Sequence, residues 1–258
     1  MPMTKKSNVK IPTIVIIRLI VFLFIGVILF WIYSRAVSFL TTASMFDVKK
    51  VTIEQSISFI DQRPLRDLMG QNIFSVDLSM LHQQIAKKYP QISQLRVVRQ
   101  MPDTIEVLAK KRDILLQVSS HNKFLIVDTE GVTMFYTASP VPFPLVRGIS
   151  LERNKIVLGV PSTIKELNLV VALLRELKSH PNTSRLKVIS IEAGNLSKIQ
   201  LLVMPNIQII IDQDDLIAKV NMLEILFQNG KINWPLVRYI DIRFKEPIIN
   251  ETTPREEK

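Results

Sequence analysis

The sequence contains no cysteine, only seven glycines and only three histidines in 258 residues. Without cysteine there is no disulfide staple, no thiolate nucleophile and no sulfur-ligated metal, which suits an extracytoplasmic bacterial compartment and the cytosol equally. So few glycines leave no glycine-rich phosphate loop, and neither a Gly-x-Ser-x-Gly turn nor a His-Glu-x-x-His helix occurs. His82, His121 and His180 are scattered, with no second ligand at helical spacing, so each is expected to face solvent or to cap an element. Asp212, Asp214 and Asp215 could suggest a cation site. They stand at the start of an expected helix, however, where carboxylates accept hydrogen bonds from free amides and oppose the positive end of the dipole. No nucleophile and base stand at workable spacing, so the sequence predicts no catalytic residue, no metal ligand and no cofactor.

Acid is missing too from the first 46 residues, where a long apolar run takes its place. Ile14 to Ser34 contains one charged residue, Arg18. As a helix these 21 residues reach roughly 32 Å, enough for a hydrocarbon core of about 30 Å. Arg18 lies one turn from the edge, within snorkelling reach of the headgroups, and Trp31 and Tyr33 suit the opposite interface. A buried core helix would not be apolar on every face. A cleaved signal peptide would have an h-region of about 7–15 residues and a better cleavage site than Thr42-Ala43-Ser44. The expectation is therefore a transmembrane helix over 14–34.

The net charge is +10, and half of it comes from Lys5, Lys6, Lys10, Arg18 and Arg35. A basic, acid-free tail before the span predicts a cytoplasmic N-terminus and an exported C-terminal region. The remaining charge is spread thinly, which favours an anionic membrane surface or an acidic partner and not nucleic acid. Lys110-Lys111-Arg112 is the densest basic cluster and reads as a solvated strand end, or otherwise as a contact for an anionic partner or membrane.

Residues 1–13 read as a disordered cytoplasmic tail. Phe46 to Ile53 reads as a strand, Asp61 to Gly70 as a helix with Pro64 in its first turn, and Leu78 to Tyr89 as an amphipathic helix stopped by Pro90. Leu95–Gln100 and Thr104–Lys110 form a hairpin around Met101-Pro102-Asp103. This strand, helix, helix, strand, strand unit is assigned to 45–115, and a larger domain to 116–247.

The larger domain should open with a hairpin turning at Asp128 to Gly131 and continue through the irregular run Pro140 to Pro144. A helix from about Ser162 follows, with Ile164, Leu167, Val171, Leu174 and Leu177 or Lys178 marking its buried stripe. Strands are expected over Leu186–Glu192, Ile199–Val203 and Ile207–Ile211, the last apolar enough to be covered on both faces. A helix from Asp214 or Asp215 to Gly230 and an alternating strand over Leu236–Phe244 complete it, with 248–258 a disordered tail. The fold class is α+β: one N-terminal span, a small β-α-α-β-β domain, and a larger domain with a mostly antiparallel sheet.

Several stretches resemble the FtsQ/DivIB family of bacterial cell-division proteins, and the first domain is similar to that family's POTRA module. They are Phe46 to Val51 directly after a span, Gly70-Gln71-Asn72-Ile73-Phe74 between two helices, and Val98 to Val107 in the hairpin. Phe124 to Phe135 looks like the strand, Asp-x-x-Gly, strand entry to the family's β domain, and Tyr239 to Phe244 like its closing motif. The chain departs from the family at Gln55, often a glycine, and at Ile114, often a proline.

The resemblance implies a non-catalytic, membrane-anchored scaffold of the divisome that docks partner strands on sheet edges. The implied partners are single-span proteins of FtsB and FtsL type and, more widely, FtsK-, FtsW- and FtsI-type proteins. The implied location is the inner membrane, with periplasmic domains, enriched at the division site. Partner-binding residues carried over by motif are Ile242, Arg243, Phe244 and Glu246, the ring as an apolar anchor and the guanidinium as a carboxylate partner. The bland reading of Phe244, on one face with Ile240 and Ile242, is core. The POTRA-like unit should offer a second edge, its first or second strand. A rival from another class is a membrane-anchored envelope enzyme or secretion component that binds polypeptide through the POTRA-like unit.

Overall fold

A computed structural model describes residues 13–151, 156–229 and 232–251. The expected tails over 1–12 and 252–258, and Gly230 as a helix stop, lie outside the described residues. The chain separates into two compact units, Met1–Glu54 with Ser58–Leu81 and Val97–Leu108, and Gln55–Ile57 with His82–Arg96 and Ala109–Lys258.

Helix α1 runs Thr13–Thr42, eight residues beyond the expected end at Ser34. Its apolar side chains point outward on every face, with Phe22, Leu23 and Phe30 each more than two-thirds exposed. In water that surface would be ruinous; in lipid it is the solvent-matched face. The guanidinium of Arg35 lies 5.5 Å from the Trp31 ring, pairing the two interfacial residue types. The far end of α1 is tied down: Asn72 Nδ2 donates to Leu40 O at 2.9 Å, and Phe39, Phe46 and Phe74 meet edge to face. Helix ends leave carbonyls without partners, and Asn72 satisfies one of them.

The small sheet has β1 (Lys50–Ile53), β2 (Ile92–Gln100) and β3 (Thr104–Lys111) in the order β1-β3-β2, with β1 and β3 parallel. Helix α2 (Arg63–Arg66) is much shorter than expected. Gly70, at φ +81°, turns the chain so that its N–H donates to Val48 O while Val48 N–H donates to Gln71 O. That pairing replaces another helical turn. Helix α3 (Leu78–Lys88) is capped by Asp77, whose Oδ1 accepts from Ser79 and Met80 N–H, and it buries Leu81 and Ile85. Arg99 donates to the carbonyls of Ile73 and Val76, fixing the loop before α3 beside the core of Val48, Ile73, Val76 and Ile105.

The large sheet holds β4 (Ile114–Ser120), β5 (Lys123–Asp128), β6 (Thr133–Thr137), β7 (Leu145–Arg147), β8 (Val188–Glu192), β9 (Ile199–Val203), β10 (Ile207–Ile211), β11 (Val237–Asp241) and β12 (Ile248–Glu251). Their spatial order is β12-β11-β10-β9-β8-β7-β4-β5-β6. The sheet is mixed: β10 with β11, β7 with β8, and β4 with β7 are parallel, and the other five junctions are antiparallel. Helices α4 (Lys165–Ser179) and α5 (Leu216–Gln228) bury Leu167, Val170, Leu173, Leu174, Val220 and Leu223 in the same core as alternate residues of β9 and β10. Burial alternates along β10 as well. Ile209 and Ile211 are buried and Ile210 only partly, so this strand is fully covered on one face and not on both.

Three strands correct the sequence reading. β4 was hidden by Gln117, a polar residue 2% exposed. Its Nε2 donates to the carbonyls of Val141 and Phe143 and its Oε1 accepts from Val141 N–H, so one amide holds the proline run that leads into β7. β7 is only three residues long. β12 occupies Ile248–Glu251, which the sequence reading left to the tail; Pro247 precedes it, a tolerated position at a strand's start.

Arg112 is a further correction. It is 14% exposed and not a solvated strand end: Nε donates to Ile92 O, and Nη1 reaches Asp128 at 2.6 Å and Glu130 at 2.9 Å. Asp128 in turn accepts from the N–H groups of Glu130 and Val132, building the Asp-x-x-Gly turn that ends at Gly131, φ +80°.

Candidate functional site

The residues picked out by sequence converge on the turn between β11 and β12. Along β11, Ile240 is fully buried, and the next inward residue, Ile242, still donates its N–H to Ile210 O at 2.9 Å. Asp241 then stops the strand. Its Oδ1 accepts Arg243 N–H at 3.1 Å, an Asx turn that competes with continued pairing. The Arg243 side chain closes on the same carboxylate, Nη2 to Oδ2 at 2.7 Å and Nε to Oδ1 at 3.0 Å. This hydrogen bonding holds the Asp241 carboxyl below its usual range despite the opposing effect of burial. The guanidinium also lies 5.4 Å from the Phe244 ring. After Pro247 the chain reverses, and Ile248 and Ile249 pair antiparallel with Asp241 and Ile240.

The four expected contact residues therefore separate by role. Ile242 is 0% exposed and belongs to the core. Arg243 is committed on one side to Asp241, leaving Nη1 for a further acceptor. Phe244 is 53% exposed, and Glu246 is exposed on the turn. The strand that carries Ile240 is internal; β12 is the terminal strand at this end of the sheet, and β6 at the other. Sequence reasoning missed β12, although Ile248-Ile249 after a proline was a usable signal. The result is a short sheet edge rimmed by Phe244 and Ile248, both about half exposed. A terminal strand presents unpaired N–H and C=O groups, and its chemistry is strand addition.

Several of the other reactive residues have local partners. His82 Nε2 lies 3.1 Å from Leu95 O and His180 Nε2 lies 3.1 Å from Glu176 Oε1. Asp215 caps α5 by accepting Ala218 N–H, and Asp212 accepts Asp214 N–H and pairs with Lys219. Among the described residues no three or more His, Asp or Glu side chains are grouped as metal ligands. Glu224, 7% exposed on α5, accepts from both backbone amides of Asn182 and Thr183 and from the Asn182 side chain. Burial pushes its carboxyl up, but these donors outweigh it and hold the group below its ordinary range.

Comparison with known proteins follows the same lines as the fold. Residues 46–111 match the family profile of the FtsQ-type POTRA domain. Cell division protein DivIB of Clostridium acetobutylicum is 22% identical over 208 residues, 78% of this chain and 80% of that protein. Cell division protein FtsQ of Syntrophotalea carbinolica is 24% identical over 216 residues, 81% of this chain and 75% of that protein. With an apolar N-terminal helix, an FtsQ-type POTRA domain and a larger β-rich domain, the chain is similar to the FtsQ/DivIB family of cell-division proteins along about four-fifths of its length.

Proposed function

We propose that this chain is a non-catalytic scaffold of the division machinery, anchored in the inner membrane by α1 with its folded domains on the periplasmic side. The observation that carries this reading is the terminal position of β12 directly after the exposed Phe244. A single-span partner of FtsB or FtsL type adds a strand to β12, seats an apolar side chain against Phe244 and offers a carboxylate to the free nitrogen of Arg243. Both proteins being tied to one membrane, the local concentration of partner is raised without any further contact. FtsK-, FtsW- and FtsI-type proteins join the same assembly at the division site.

A photo-crosslinking residue placed at Phe244, Ile248 or Asn250 in the full chain tests this in cells. The expected products are adducts with single-span division proteins, absent when the probe sits at exposed Lys178 on α4. Adducts of equal yield from Lys178, or none from the β12 edge, would contradict the proposal.

A further inference from the structure

The small sheet has an edge of its own, β1, whose chemistry differs from that of β12. β1 runs parallel to β3 from Lys50 opposite Thr104 to Ile53 opposite Val107. Lys50 N–H donates to Asp103 O and Glu54 N–H to Val107 O, so the even-numbered residues direct their backbone toward β3. In a parallel ladder the alternate residues, Val51 and Ile53, then turn N–H and C=O to the open side. Among the described residues, no backbone hydrogen bond outside the regular ladders involves either of them.

Beside this edge lies a groove of about 460 Å³, walled by Lys49, Lys50, Val51 and Ile53 on one side and by Gln62, Leu65, Arg66 and Met69 on the other. Its inner surface is apolar. Leu65 is 2% exposed, whereas Met69 is 47% exposed and free to cover an incoming side chain. Its rim carries three cations and no acid. Lys49 has Asp103 at 3.6 Å, a solvent-exposed pair of little strength, while Lys50 and Arg66 are exposed with no ion pair among the described residues. An open strand edge, an apolar trough and a basic rim within one groove specify a ligand: an extended polypeptide alternating apolar and acidic side chains.

We propose that this groove is a second docking site, taking an acidic, extended segment of a partner protein as a fourth strand along β1. It rests on the scaffold reading above and adds to it the edge and the partner chemistry. Apolar residues of the segment enter between Ile53 and Met69, and its carboxylates meet Lys50 and Arg66.

The test uses the full chain in phosphatidylcholine nanodiscs and a fluorescent Val-Glu-Val-Glu-Val-Glu peptide, with a Val-Lys repeat as control. The expected result is salt-sensitive binding of the acidic peptide alone, with slowed hydrogen exchange at Val51 and Ile53. Lys50→Glu with Arg66→Glu should weaken it by at least about tenfold. Both positions are exposed, so the double variant folds, and its crosslinking from Phe244 should be unchanged. Equal binding of the two peptides, no protection at Val51 and Ile53, or full affinity in the double variant would overturn the proposal. Displacement of the peptide by phosphatidylglycerol in the nanodisc would assign the groove to lipid and overturn it as well. Loss of crosslinks from the β12 edge in the wild-type chain, with peptide binding intact, would instead count against the scaffold reading and leave the groove standing.

Discussion

Replacing Ile242 by alanine separates core from contact surface at the β11 end. The side chain is fully buried, so the substitution removes three carbon atoms from the core. At about 0.8 kcal/mol per buried carbon the transfer loss is about 2.4 kcal/mol, and the residual cavity brings the cost to about 3–4 kcal/mol. For a unit of this size that lowers the melting midpoint by roughly 6–16 °C. Trp234 reports it, since its indole stacks on Phe227 at 4.3 Å within the same unit. A Trp31→Phe background removes the signal of the other tryptophan, in the span. Phe244→Ala, at a half-exposed ring, should cost less than about 1 kcal/mol of stability and yet abolish partner crosslinking from the adjacent edge. Below its midpoint, Ile242→Ala should retain that crosslinking. An unchanged midpoint for Ile242→Ala, or equal destabilisation by both variants, would refute the division of roles.

Other outcomes follow from the buried polar groups and the span. Gln117→Leu removes the three hydrogen bonds that hold Val141 and Phe143 and leaves the Val141 N–H unpaired, costing about 1–3 kcal/mol in urea unfolding followed at Trp234. Glu224 has a folded-state pKa below its unfolded value. The stability it contributes is therefore complete above the unfolded value near 4.5 and is lost as pH falls through the folded one. Glu224→Gln should flatten that acid limb of the Trp234 midpoint; an unchanged slope would contradict the assignment. Replacing 14–34 with an unrelated span of equal length and orientation should keep most partner co-purification, and complete loss would make the helix itself part of the interface.

Much of the fold was legible because most elements use one face. The i, i+3, i+4 spacing in α3 and α4 matches a single period, and β9 and β10 are short apolar runs rich in β-branched residues and bounded by turn residues. Elements without such a pattern were lost. β4 is internal to the sheet, buried on consecutive positions from Leu115 to Val118, and carries a polar amide among them. β7 is shorter than any period can register. The end of the sheet was read one strand too early, because apolar alternation runs on through Ile242 and Phe244 although the strand ends at Asp241. Asp241 accepts the Arg243 amide and ends the strand, a side-chain event that hydrophobic period cannot register. Arg112 failed for a related reason: beside two lysines it looked solvated, and only the fold brings Asp128 and Glu130 to it.

The central claim, strand addition at β12, is tested most directly by hydrogen exchange on the full chain alone and in complex with the single-span proteins that co-purify with it. The account predicts that amides of Ile248–Glu251 on the open side exchange fast in the free chain and slow by at least about a hundredfold in the complex, as new backbone hydrogen bonds form. Unchanged exchange across β12 in a complex that remains intact would contradict it.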